Sequence, residues 1–299
     1  MTDWATFAGV AGVVTLAVLV LATLSQDAVP PTDSVHPPRS PSGPEPNEPT
    51  ESEVGTESEP TVETEPSGVE NDPDATAGGT TAVENRTEAV GAAETPPAAR
   101  QLAASARREP TTATLLASVT LTQATFGAVL LAGVVVAGVP AAALGVRVPS
   151  VDALAAGVAV GAALSGANEI GGRLGARTGL ADGDELRAAL APATPAGWAA
   201  LLGVVLPTVA LFEELLFRGA LVGGLATGFG LSPWLLAATS SVAFALAHGA
   251  QGPAGVAVTG VLGAALAGTF VVTDSLAAVV VAHYLVNAVE FVGHEGAWG

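Results

Sequence analysis

Glu213, Glu214 and Arg218 sit in the decapeptide LFEELLFRGA, residues 211–220, inside a stretch otherwise apolar enough to enter a membrane. A carboxylate at bilayer depth costs about 2.5–3.5 kcal/mol on insertion scales, so it persists where it is paired or functional. Two further polar clusters interrupt apolar segments downstream: His248, four residues after Phe244, and His283, four residues before Asn287. A carboxylate, two imidazoles and a carboxamide are the parts needed to hydrolyse an amide. A carboxylate and a histidine can hold and deprotonate a water, and a histidine with an asparagine can donate to the developing oxyanion.

Helical spacing sorts these residues into roles. Glu214 and Arg218 are i and i+4, share a face and can neutralise each other away from water. Glu213 is turned by about 100° from Glu214 and is left as the free carboxylate. The same spacing stacks Phe244 one turn before His248 and projects His283 and Asn287 from one face. Each cluster alone has a plainer reading. A core histidine bonded to a backbone carbonyl accounts for His248, and interhelical hydrogen bonding, worth roughly 1 kcal/mol, accounts for His283 and Asn287. Together they weigh more, because the chain has four histidines and two of them fall in apolar segments that hold few other ionisable groups. A second chemistry uses the same side chains: Glu213, His248 and His283 match the two-histidine, one-carboxylate set of a catalytic zinc site with one position open to water. Zinc or no cofactor are both open at this point. No His-Glu-x-x-His helix is present.

The elements that must position these residues are membrane helices. The 299-residue chain is 49% hydrophobic and 13% charged, and its charges are not spread as on a soluble globule. Apolar runs cover 4–24, 111–146, 153–168, 188–212, 219–247, 249–273 and 275–282, the last continuing around His283 to 292. Most are near the length of about 20 residues that crosses the hydrocarbon core, and Trp4, Trp198 and Trp234 fall near segment starts, where amphipathic rings favour the interface. The expected fold is all-α, a polytopic bundle of about six core helices plus one N-terminal hydrophobic helix. Glycines at 219 and 223, and at 260, 263 and 268, permit close helix approach.

Residues 26–110 shift to Pro, Glu, Thr, Ser and Gly with few large apolar side chains, a composition that cannot bury enough surface to fold. This divides the chain into an N-terminal transmembrane anchor, 1–25, a disordered acidic linker, 26–110, a helical block, 111–293, and a C-terminal tail, 294–299. The first segment lacks a basic n-region and is long for a signal h-region, which favours an anchor over a cleaved signal. Arg100, Arg107, Arg108, Arg173, Arg177 and Arg187 fall on one side of the helical block and Arg147 on the other, so the positive-inside rule makes the first side cytoplasmic.

The net charge of −18, the pI near 4.3 and the absence of lysine fit a salt-loving source, in which hydrated acidic surfaces keep proteins soluble. The linker alone accounts for most of the imbalance, since it holds 17 of the 28 acidic residues. Nucleic-acid binding is excluded as a reading, because phosphate contact needs clustered cations. The chain has no cysteine, which removes disulfide and thiol chemistry. Glu169 with Arg173 reads as an interfacial i, i+4 pair, Asp274 as a turn and Glu290 as an interface residue.

Taken in order on successive membrane helices, Glu213-Glu214-x-x-x-Arg218-Gly219, Phe244-x-x-x-His248 and His283-x-x-x-Asn287 resemble the CAAX prenyl protease 2 family, also called CPBP or Abi-family intramembrane proteases. The resemblance covers 195–291. It implies that Glu213 is the catalytic carboxylate, His248 its partner on the water, and His283 with Asn287 the oxyanion pair. Glu214, Arg218 and Phe244 then shape the site. The family is described both as metalloprotease and as metal-independent glutamate protease, and the long acidic linker with its N-terminal helix lies outside the family pattern. The resemblance further implies an endopeptidase of a membrane-bound, CAAX-type prenylated protein, multi-pass in the cell membrane, with bilayer lipid and a membrane-bound substrate as partners. A non-catalytic immunity or assembly factor that keeps the fold is the alternative. A proton-relay transporter is a weaker third reading, because no repeated pair of Gly/Pro-broken segments is evident. The sequence carries no signal of oligomeric state.

Overall fold

The structure, a computed structural model, describes residues 1–28, 111–178 and 184–296. The linker expected over 26–110 lies outside the described residues from 29 onward. All regular structure among the described residues is helical.

Helix α1, Trp4–Ala28, begins where Asp3 accepts hydrogen bonds from the Thr6 hydroxyl (2.6 Å) and amide (3.0 Å). The Thr6 hydroxyl and amide hold the Asp3 carboxyl below the usual carboxylate range. Helix α2, Thr112–Val136, is capped by Thr111, whose side chain accepts from the Thr114 amide. A 3₁₀ turn, Ala141–Leu144, leads into α3, Val151–Thr178, and the short α4, Asp184–Leu190. Thr194 caps α5, Pro195–Phe229, a continuous helical rod of 35 residues. It is followed by α6, Pro233–Ala247, a 3₁₀ turn at Gly249–Gln251, α7, Gly252–Thr273, and α8, Leu276–Glu295. Six of these helices are long and apolar enough to cross a membrane, namely α1, α2, α3, α5, α7 and α8. The protein is an all-α polytopic bundle, and α6, with 15 residues, is too short to span.

Two features differ from the expected segmentation. The expected boundary between 188–212 and 219–247 is absent, because the charged residues between them do not end the helix: Glu214 and Arg218 pair within it and the rod runs on to Phe229. The break comes at Gly230, whose φ of 66° is left-handed, and Pro233 starts the next helix. The rod is also not regular. Leu201–Val205 and Leu215–Gly224 are π-helical, the second stretch starting directly after Glu214. Such π insertions widen a helix and recur at functional sites.

Helix α1 is built into the core. Phe7, Ala11 and Val14 are buried in one cluster with Leu130 of α2 and Leu216, Phe217 and Ala220 of α5. Close approach also fixes α8 against α3: a methyl on Gly157 would meet the Ala278 carbonyl oxygen, and one on Gly161 the Ala282 carbonyl oxygen. Polar pairs mark the two ends of the bundle. At one end Thr112 donates to Ala189 O, Arg187 bonds Glu290 (3.2 Å) and Glu295 (3.1 Å), and Glu169 pairs with Arg173 (2.9 Å). At the other, the Asp3 amide donates to Ala137 O and Arg147 pairs with Asp274 (2.6 Å), which turns the chain at φ 46°. Arg173 and Arg187 thus share one end, and Arg147 lies at the other. Glu169 and Glu290 lie at an end of the bundle, and Asp274 lies at the turn between α7 and α8.

Candidate active site

The π-helical turn of α5, the end of α6, the middle of α7 and α8 meet around Arg218. Its guanidinium is fully buried and makes three contacts of different kinds. Nη1 donates to Glu214 Oε1 at 2.7 Å, Nη2 donates to Gly263 O at 2.9 Å, and the guanidinium carbon lies 4.4 Å from the centre of the Phe244 ring. Gly263 permits this because any side chain there would strike Phe244. An arginine at this depth is tolerated only with its charge matched and most of its donors engaged, and here Nε alone is buried without a hydrogen-bond partner. Glu214, also fully buried, supplies the charge.

Glu214 Oε1 accepts a second bond, from His283 Nδ1, at 2.7 Å. Carboxylate oxygens accept, so Nδ1 carries the hydrogen and Nε2 faces away from Glu214. His248 is set in the same sense: its Nδ1 lies 2.8 Å from Phe244 O, a carbonyl that can only accept. The Phe244 ring, 4.6 Å from the His248 ring and 6.0 Å from the His283 ring, packs against both.

Both Nε2 atoms turn toward Glu213. Glu213 Oε2 lies 3.8 Å from His248 Nε2 and 3.8 Å from His283 Nε2. That oxygen is buried and has no hydrogen-bond partner. The other oxygen, Oε1, accepts from Gln123 Nε2 of α2 at 3.3 Å. Asn287 is half-buried on α8, one turn beyond His283. The structure therefore brings Glu213, Glu214, Arg218, Phe244, His248 and His283 together and sets Asn287 on the helix that carries His283.

A cavity of about 160 Å³ opens beside Glu213 and His248. Its walls come from α5 and α6, from Thr122, Gln123 and Phe126 of α2, and from Val18, Leu21, Ala22 and Ser25 of α1. Sequence alone points to neither Gln123 nor the α1 wall. A lone carboxamide among apolar and hydroxyl residues gives little signal, and nothing local says that the first helix reaches the site.

Residues 195–289 match a family model described as Rce1-like: type II CAAX prenyl endopeptidase Rce1-like. That segment is an Rce1-like domain. It carries all seven residues singled out in the sequence, whereas Gln123 and the α1 wall lie outside the matched part of the chain. Rce1-like domains belong to CAAX-type intramembrane endopeptidases, so the chain is a multi-pass membrane protein with a peptidase domain. Comparison with curated proteins and with solved structures gives no match.

The donor set of the Rce1-like site bears on zinc. Glu213 Oε2 and the two Nε2 atoms have the right chemistry for it. Their arrangement does not fit: among the described residues, no group of three or more His, Cys, Asp or Glu side chains is placed to hold a metal ion.

Proposed function

We propose that the chain hydrolyses a peptide bond of a membrane-bound, CAAX-type prenylated protein, with Glu213 and His248 activating a water and His283 with Asn287 stabilising the oxyanion. The observation that carries this reading is the buried, unpaired Glu213 Oε2, 3.8 Å from two Nε2 atoms. A water hydrogen-bonded at about 2.8 Å to each of two groups spans that separation. Glu213 Oε2 and His248 Nε2 accept from the water and take its proton as its oxygen attacks the carbonyl carbon. The carbonyl oxygen gathers negative charge beside His283 and Asn287. Glu214 at Nδ1 orients the His283 ring and balances the charge it carries when Nε2 also bears hydrogen, the role a buried carboxylate plays behind a catalytic imidazole. Collapse of the tetrahedral species breaks the C–N bond, and the proton first taken from water passes to the leaving nitrogen.

Charge placement supports a cell-membrane topology in which the end bearing Arg173 and Arg187 is cytoplasmic. Helix α1 ends and α2 begins at that same end, so the linker between them would be cytoplasmic.

The test is cleavage of a farnesylated CAAX peptide by the purified full chain in nanodiscs, with and without chelator. Cleavage is expected to survive chelation and to be lost in Glu213→Gln and His248→Ala while both variants still accumulate. Undiminished activity in both variants would remove the proposed chemistry, and a non-catalytic partner-binding role would take its place.

A further inference from the structure

Gln123 stands near the middle of α2, outside the Rce1-like segment, and lines the cavity beside Glu213 and His248. Its amide can be oriented in only one way. Glu213 Oε1, as a carboxylate oxygen, accepts, so the Gln123 nitrogen must face it, and the bond is 3.3 Å long. The Gln123 oxygen is thereby fixed on the other side. It is buried and has no hydrogen-bond partner.

Holding Glu213 in place explains the nitrogen of Gln123 and leaves its oxygen without a purpose. Buried amide oxygens are normally paired, and leaving one unpaired is costly. No donor near the site is bonded to it: Arg218 Nη1 and Nη2 go to Glu214 and Gly263, Arg218 Nε has no partner at all, and each histidine Nδ1 is bound on its own side. A peptide entering the cavity brings the missing donor. Its backbone must be extended across the bond to be cut, because a helical segment keeps each carbonyl hidden in its own ladder. Once extended at membrane depth, its N–H groups find no acceptor in lipid and must find one on the protein.

We infer that Gln123 is a substrate-positioning residue: Nε2 fixes Glu213, and Oε1 accepts a backbone N–H of the substrate flanking the scissile bond. The inference rests on the reading of Glu213 as the water-activating carboxylate. One side chain then registers the peptide against the carboxylate that activates the water, so that binding and chemistry share a reference point.

The test uses the full chain in nanodiscs and a farnesylated CAAX peptide with a set of analogues. In each analogue one backbone N–H on either side of the scissile bond, never at it, is replaced by an ester oxygen. Wild type is expected to cleave one of these esters about tenfold less efficiently in kcat/KM than the all-amide peptide, which corresponds to the loss of one hydrogen bond. Gln123→Met keeps the length and the burial but offers only a weakly accepting thioether in place of the amide oxygen, and it should cleave that ester and the amide nearly equally, both more slowly than wild type cleaves the amide. Gln123→Glu retains an acceptor and should keep the preference at a lower rate. A merely structural role would lower all rates together and leave the amide-to-ester ratio where wild type has it. The inference is overturned if Gln123→Met keeps the wild-type ratio at every position, or if wild type distinguishes none of the esters, as it would if water served Oε1. Failure of wild type to cleave any peptide would instead remove the peptidase reading and this inference with it.

Discussion

Glu214 and His283, on different helices, share a 2.7 Å hydrogen bond through the same Oε1 that receives Arg218 at 2.7 Å. One oxygen thus ties the ion pair of α5 to the imidazole of α8. Glu214→Gln would leave Arg218 buried without its counter-charge, and breaking a buried pair from one side costs about 3–5 kcal/mol. It would also leave His283 without the carboxylate that orients it. Thermal unfolding in detergent should drop sharply, and cleavage by the folded fraction should fall by about 10²-fold or more. Glu214→Gln/Arg218→Met removes both charges, so it should regain most of the stability and none of the activity. Activity returning along with stability would show that the link to His283 is structural only.

The neighbouring carboxylate should behave in the opposite way. Glu213 Oε2 has no partner to lose, and a glutamine at 213 can still accept from Gln123 through its oxygen. Glu213→Gln is therefore expected to unfold within about 1 kcal/mol of wild type, the range of substitutions that disturb no buried network. Peptide cleavage should nevertheless fall by about 10²–10⁴-fold, the usual contribution of a positioned acid–base group. A large loss of stability in this variant would mean that Oε2 has a structural partner.

The residues of the site could be found in the sequence because charge in an apolar helix is rare enough to be conspicuous. Spacing alone then paired Glu214 with Arg218, as the 2.7 Å bond bears out. What could not be read there depends on contacts between helices. The bond from Glu214 to His283 joins residues 69 apart, and Gln123 lies 90 residues from the carboxylate it touches. The π-helical stretch at Leu215–Gly224 left no mark either, since its ten residues, three of them glycine, show no pattern that separates a π turn from an α turn. Apolar content marked seven segments where six described helices are long enough to span, because hydropathy registers a buried ion pair as an interruption while the backbone continues through it.

Helix α1 should influence which peptides are cut. Leu21 lines the cavity although it is 45% exposed overall, so a larger side chain there takes cavity space without disturbing the packed face of α1. An indole would occupy a large share of a 160 Å³ space. Leu21→Trp is expected to raise KM about tenfold with kcat nearly unchanged, the signature of lost binding common to ground and transition states. Val13, on α1 but away from the cavity and 68% exposed, provides the control: Val13→Trp should leave both constants alone. Equal KM values for wild type and Leu21→Trp would mean that substrate does not reach the α1 wall.

The contact between α3 and α8 should set the precision with which His283 and Asn287 are held. In a helix interior, Gly→Ala ordinarily stabilises by about 0.5–1 kcal/mol, because alanine has less backbone entropy to lose. Gly166 has nothing near the position of an added methyl, so Gly166→Ala should follow that rule. At Gly157 the methyl meets the Ala278 carbonyl oxygen, which is backbone and cannot rotate away, so the sign should reverse. Overpacking of this kind costs about 1–3 kcal/mol, enough to outweigh the gain in propensity. The same displacement moves α8 and the two site residues on it, and a shift of about 1 Å in a catalytic group can cost about 10²-fold in rate. Gly157→Ala is therefore expected to unfold at a lower temperature than wild type and to show a reduced kcat even where it is fully folded, whereas Gly166→Ala keeps its kcat. If both variants retained wild-type kcat, the crossing of α3 and α8 would not be what positions His283.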